Sequence, residues 1–151
     1  MKDIFQLLRL GFNLPKNESI PNLNIRNEFG QNLLHEAIAH KNHTAAVDLI
    51  KNKINVNQQD NNGLTPLHYC AEYNDVLIAK IILENKGDLS IENAYGNTPL
   101  WTAVFNSDGR YDLVQLFMNY GANSRKKNKN NKSPLDFALQ IGDNNLIKLL
   151  E

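Results

Sequence analysis

The sequence predicts an all-α solenoid of stacked helix-turn-helix units, and three observations carry that expectation. Gly30, Gly63 and Gly96 follow one another at intervals of 33 residues. Thr65-Pro66-Leu67 returns 33 residues later as Thr98-Pro99-Leu100 and then 35 later as Ser133-Pro134-Leu135, with Asn32-Leu33-Leu34 as a weaker first copy. Small residues recur at Ala37, Cys70, Ala103 and Ala138, at matching places inside the copies. Self-similarity at this period marks a repeat array, in which no unit buries its apolar face alone and each stacks on its neighbours.

The motif starts a helix for reasons of its own. The Thr65 hydroxyl can accept from a free backbone N–H of the first turn, and Pro66 falls at the first helical position, where its missing N–H costs nothing and its fixed φ suits the helix. Gly63 lies just upstream, where a turn needs positive φ. Asn131, in the same place of the last copy, is the best non-glycine substitute. The small residues then mark close helix contacts.

These residues resemble ankyrin repeats. Thr65-Pro66-Leu67-His68-Tyr69-Cys70 follows the T-P-L-H-x-A pattern with Cys70 in the alanine place, and the resemblance covers roughly residues 24 to 151. It implies an ankyrin-repeat solenoid whose units carry short hairpin-like fingers at right angles to the helices, with no true sheet. Asn55-Val56-Asn57, Asp88-Leu89-Ser90 and Asn123-Ser124-Arg125 resemble the finger bases of the family. The resemblance also implies a scaffold for protein recognition and leaves the partner unnamed.

In chain order, Ile4, Phe5, Leu7 and Leu8 form an apolar stripe at helical spacing closed by Gly11, which is expected to be the second helix of a half repeat within residues 1–26. A loop from Leu14 to Asn22, with Pro15 and Pro21, comes after it. Residues 27–59 form the first full repeat, with helices near Leu33 to His40 and Thr44 to Lys51. Residues 60–92 form the second, with Ile78 to Leu83 as its apolar second helix and Gly87 as the expected C-terminal cap. The third, residues 93–127, is two residues longer, and the motif phase places the extra pair around Ser107-Asp108, in the turn between its helices. Leu113, Val114, Leu116 and Phe117 supply its buried face, and Gly121 ends it. Residues 128–151 stop without a further finger and form a capping repeat.

Composition narrows the function classes. At 151 residues, 42% hydrophobic and 21% charged, the chain suits one globular domain. Sixteen basic residues balance sixteen acidic ones, so no overall field draws it to nucleic acid or an anionic membrane. No apolar run approaches a membrane span, and the start lacks the apolar core of a secretory signal. A single cysteine excludes an internal disulfide, and a cytoplasmic location is expected. Met1 and the capped ends suggest a whole protein, monomeric when unbound.

Among candidate site residues, His35 and His68 fall on the histidine of the motif, where the resemblance implies bonds to neighbouring turns. Trp101 and Asp136 in the same place argue against a repeated catalytic histidine. His35, His40 and His43 do not share a helix face and lack a completing ligand, so no metal or other cofactor is expected. Phosphate-loop, nucleophile-elbow and zinc-protease motifs are absent. Large side chains fall at positions that the resemblance places on finger tips and on the concave edge of the first helices: Phe29, Leu64, Glu72, Tyr73, Tyr95 and Phe105. Exposed aromatics on a rigid surface suit a docking hot spot. Arg125, Lys126, Lys127, Lys129 and Lys132 form the one strong charge asymmetry, with no acid from Leu113 to Leu135, and suggest an acidic patch on the partner.

The expected function is non-catalytic binding of another protein, acting by stoichiometric inhibition. Small stand-alone ankyrin chains resemble immunity proteins that neutralise a toxin. An adaptor or assembly factor bridging two proteins is the alternative, and a small hydrolase using His35 or His68 is a minor one.

Overall fold

Three of the four motif copies begin a helix with a reciprocal cap. Thr65 Oγ1 accepts the His68 N–H at 3.4 Å, while His68 Nδ1 accepts the Thr65 N–H at 3.1 Å. Asn32 with His35 and Ser133 with Asp136 repeat the arrangement. The structure is a computed structural model that describes residues 3–16 and 22–151. Met1, Lys2 and residues 17–21, including Pro21 of the expected loop, lie outside the described residues.

The helices are α1 (Ile4–Arg9), α2 (Leu33–Ala39), α3 (His43–Lys51), α4 (Pro66–Tyr73), α5 (Val76–Glu84), α6 (Pro99–Phe105), α7 (Asp112–Asn119), α8 (Pro134–Ile141) and α9 (Asn144–Leu150). Among the described residues there is no strand, and no helix is long and apolar enough to cross a membrane. First helices stack as α2, α4, α6 and α8, second helices as α3, α5, α7 and α9. Ala37, Cys70, Ala103 and Ala138 are all buried where neighbouring first helices approach. Around them Leu34, Leu67, Leu100, Ile78, Ile82 and Phe117 lose their accessible surface to one continuous core. Burial of such side chains stabilises the stack by about 2 kcal/mol each.

The register of α1 differs from the expectation. It packs against α2, so it heads the row of first helices, where the sequence suggests a second helix. Phe5 and Leu8 are its buried residues, and Arg9 pairs with the buried Glu36 of α2. The cap after α5 is also corrected. The left-handed residue is Lys86 (φ 70), and Gly87 comes next, donating its N–H to the Ile82 carbonyl at 2.9 Å. A Cβ on Gly87 would sit 2.6 Å from Ile82 Cγ2, so close approach, and not positive φ, requires glycine there.

Each finger is a turn stapled by one side chain. Asp60 Oδ1 accepts the N–H groups of Asn62 and Leu64, both at 2.9 Å, and Asn27, Asn93 and Asn128 do the same in their copies. Fingers join through Asn61 N–H to the Phe29 carbonyl, Ala94 N–H to the Asn62 carbonyl and Lys129 N–H to the Tyr95 carbonyl, at 2.9 to 3.0 Å. The turn between α6 and α7 is the long one. Asp108 (φ 45) and Gly109 (φ 78) are both left-handed there, and the Arg110 N–H closes the turn on the Ser107 carbonyl at 2.7 Å.

Candidate protein-docking face

The two motif histidines are built into the stack. His35 Nε2–H donates to the Leu64 carbonyl and His68 Nε2–H to the Asn97 carbonyl, each at 2.9 Å and each reaching the next repeat. Nδ1 is thereby left as the acceptor for the cap. Both rings are buried, and burial holds each pKa down to about 4, against the backbone bond that favours the charged form. His40 lies beside Glu36, and His43 Nε2 meets Asp75 Oδ2 at 2.8 Å. Among the described residues no group of three or more His, Cys, Asp or Glu could hold a metal ion. Cys70 is fully buried, and burial pushes its thiol pKa well up, with the Asp75 charge adding to it.

The large side chains predicted on the finger tips and the concave edge divide into two sets. Leu64, Glu72, Tyr95 and Phe105 line one hollow of about 420 Å³ between the fingers and the first helices, together with Asn62 and Thr102. Tyr95 is 67% exposed at a finger tip and Phe105 57% exposed at the end of α6, whereas Leu64 is half-buried. Phe29 is exposed two fingers before Tyr95, and its carbonyl accepts the Asn61 N–H. Tyr73 is exposed beside Tyr69, the ring centroids 6.4 Å apart, and its partial burial raises its pKa. Neither Phe29 nor Tyr73 lines that hollow.

Phe105 is not a free-standing ring. It stacks on Trp101 at 5.3 Å and meets Phe137 at 5.4 Å, which makes a three-ring cluster across α6 and α8. Trp101, Phe137 and the neighbouring Ile141 are missing from the residues that the sequence places on a binding face. The signal is present in the exchange of a motif histidine for tryptophan, in the repeat whose turn is lengthened.

The basic finger is partly spent inside the chain. Lys127 pairs with Asp136, Lys126 Nζ lies 3.5 Å from Glu92, and Lys129 Nζ donates to the Ala94 carbonyl at 2.7 Å. Lys127, more than the Ser133 backbone, holds the Asp136 pKa down to about 2. Arg125 and Lys132 make no side-chain hydrogen bond or ion pair among the described residues. The acids lie just outside the sequence window that is purely basic: Asp136 one residue beyond it, Glu92 on the preceding finger.

A family model described as ankyrin repeats in three copies matches residues 1–93, and one for the single ankyrin repeat matches residues 95–129. The chain is 35% identical over 105 residues to a putative ankyrin repeat protein of Rickettsia felis, an overlap of 65% of this chain and 46% of that one. It is 32% identical over 102 residues to a probable serine/threonine-protein kinase of Dictyostelium discoideum, covering 66% of this chain and 12% of the kinase. It is 26% identical over 144 residues to the tyrosine-protein kinase Shark of Drosophila melanogaster, covering 93% of this chain and 14% of Shark. In all three the match spans less than half of the relative's length.

Proposed function

The chain belongs to the ankyrin repeat family, whose repeats are protein-interaction modules, and on that premise we propose that it binds another protein and acts by occupying that partner's surface. The observation that carries this reading is the hollow shared by Leu64, Glu72, Tyr95 and Phe105, in which two large aromatic side chains stand exposed on a frame of bonded fingers and capped helices. Exposed aromatics on a pre-organised frame lose little conformational entropy on binding, and each anchor contributes about 2 kcal/mol or more when fully desolvated. Such binding is stoichiometric. Inhibition is its direct consequence when the covered surface is a working one, and neutralisation of a toxin is one form it takes.

Phe29 and Tyr73 extend the face toward the first repeat. Arg125 and Lys132 favour an acidic area on the partner beside the last finger, while Lys126, Lys127 and Lys129 contribute less because each already has an acceptor. The test is to cross-link the chain in its native host, identify the bound protein and measure stoichiometry and mass by light scattering. One partner at equal stoichiometry, with its activity lost on binding, is the expected result. Two different proteins bound at once would replace inhibition with bridging, and recovery of no complex would remove the reading.

A further inference from the structure

The lengthened turn after α6 opens a second hollow on the same side as the first. It is an open hollow of about 610 Å³ between residues 106–110 and an apolar floor of Phe105, Phe137 and Ile141. Glu72, Phe105 and Asn106 line both hollows, so the two adjoin. Phe105 and Ile141 are each more than half exposed, 57% and 52%, at the edge of the three-ring cluster.

The charges around this floor are one-sided. Glu72, Asp108 and Asp143 face it, with Arg110 as the single base. Asp143 already accepts from the Leu146 N–H and the Tyr111 hydroxyl, whereas Glu72 and Asp108 make no ion pair among the described residues. An apolar side chain that filled the hollow without cations would take these three carboxylates out of water with Arg110 alone to offset them. A segment that also carries positive charge compensates them as it seats.

We propose that this hollow takes a peptide segment of a partner protein in which an aliphatic or aromatic side chain is flanked by lysine or arginine. The inference rests on the reading of the chain as a protein-binding module and adds the sign and chemistry of what it binds. The sign is opposite to that of the last finger. The two-residue insertion gives the hollow its wall, because residues 106–111 join α6 to α7 where the other repeats turn from first to second helix in two or three residues.

Three short fluorescein-labelled peptides in a glycine-serine background test it: leucine flanked by lysines, leucine flanked by glutamates, and glycine flanked by lysines. Anisotropy gives affinity. Trp101, the single tryptophan, stacks on the floor residue Phe105 and reports occupancy through its emission. The lysine-flanked leucine peptide is expected to bind about tenfold tighter than the glutamate-flanked one at low salt and to shift Trp101 emission. That preference should collapse in the Glu72→Gln, Asp108→Asn double variant, whose asparagine tolerates the left-handed backbone at 108.

Equal or tighter binding of the glutamate-flanked peptide overturns the inference. So does equal binding of the lysine-flanked glycine peptide, or a preference that survives in the double variant. The identified native partner is titrated in parallel against Phe105→Ala. Partner affinity lost in Phe105→Ala with peptide preference absent sinks this inference alone, whereas partner affinity unchanged in both Phe105→Ala and Tyr73→Ala sinks the docking reading beneath it.

Discussion

Trp101 leaves Thr98 without the reciprocal cap that the other three motif copies possess. The indole nitrogen is a donor only, so it cannot accept the Thr98 N–H as His35, His68 and Asp136 accept theirs. Among the described residues Thr98 makes no side-chain cap bond, and Trp101 Nε1 is itself buried without an acceptor. The third repeat therefore has a weaker helix start than its neighbours. It is held by packing of the three rings and by Pro99 at the first helical position.

Two threonines in equivalent places should consequently respond differently to the same substitution. Thr65→Ala removes a cap bond and is expected to cost about 1 kcal/mol. Thr98→Ala removes no such bond and should cost about half of that or less. Urea denaturation of both variants checks the difference, and equal losses would show that the threonines matter through packing alone.

The buried histidines set an acid limit on stability. Each Nε2–H donates to a carbonyl of the next repeat, and each Nδ1 must be unprotonated to accept the cap N–H. Burial depresses the folded pKa to about 4 from 6.5, so between those values the unfolded chain binds protons that the native state does not. Stability is complete above about pH 6.5 and falls as pH drops toward 4, by at most about 3 kcal/mol per histidine. The check is the urea midpoint tracked from pH 7 to pH 4, beside His68→Gln, which should lose stability at neutral pH and show a shallower slope. A wild-type midpoint that does not move over that range would count against neutral, cap-accepting histidines.

The repeats are legible in the sequence because they rest on local rules. A proline at the first helical position, a capping hydroxyl and a glycine in the finger each declare themselves at fixed spacing, and Asn131 is recognisable as a positive-φ substitute, which it is at φ 57. The features that do not show are set by neighbours in space. The Gly87 requirement comes from Ile82 and not from backbone sign, and α1 joins the first-helix row because Phe5, Leu8 and Arg9 meet α2. Likewise the basic finger reads as free until Glu92 and Asp136 come beside it, and Trp101 reads as a lost histidine until Phe105 and Phe137 close on it.

Glycine and asparagine exchange places in the fingers according to whether another finger packs against them. A Cβ on Gly96 would stand 2.9 Å from the Lys129 backbone nitrogen of the next finger, whereas Asn131, in the same place of the last described finger, is exposed at φ 57. Gly96→Asn keeps a residue tolerant of the left-handed region and still should cost about 2 kcal/mol, because the finger-to-finger bond from Lys129 to Tyr95 must stretch. Asn131→Gly should change stability by less than about 1 kcal/mol. Thermal melts of the pair decide this. Equal effects would mean that the backbone angle alone, and not the approach of the next finger, selects glycine at 96.

Binding should separate the aromatic face from the charged finger. Tyr73→Ala and Phe105→Ala are each expected to weaken the partner complex by about 1 to 3 kcal/mol, since alanine cannot replace the buried area of an aromatic anchor. Phe105→Ala should also cost about 1 kcal/mol in folding, because it removes ring contacts with Trp101 and Phe137, while Tyr73, with one tilted neighbour, should cost less. Charge reversal must be divided in the same way. Lys127→Glu places two carboxylates together at Asp136 and disturbs the α8 cap as well as the surface. Reversal at Arg125 and Lys132 changes only exposed charge, so it should slow association at low salt and lose that effect as salt rises past about 0.1 M, where screening acts within roughly 10 Å. Stopped-flow association at two ionic strengths, with stability measured on the same variants, distinguishes them. Unchanged affinity in both aromatic variants would move the interface off this face, and salt-independent slowing at Arg125 and Lys132 would mean that the finger is read by contact and not by field.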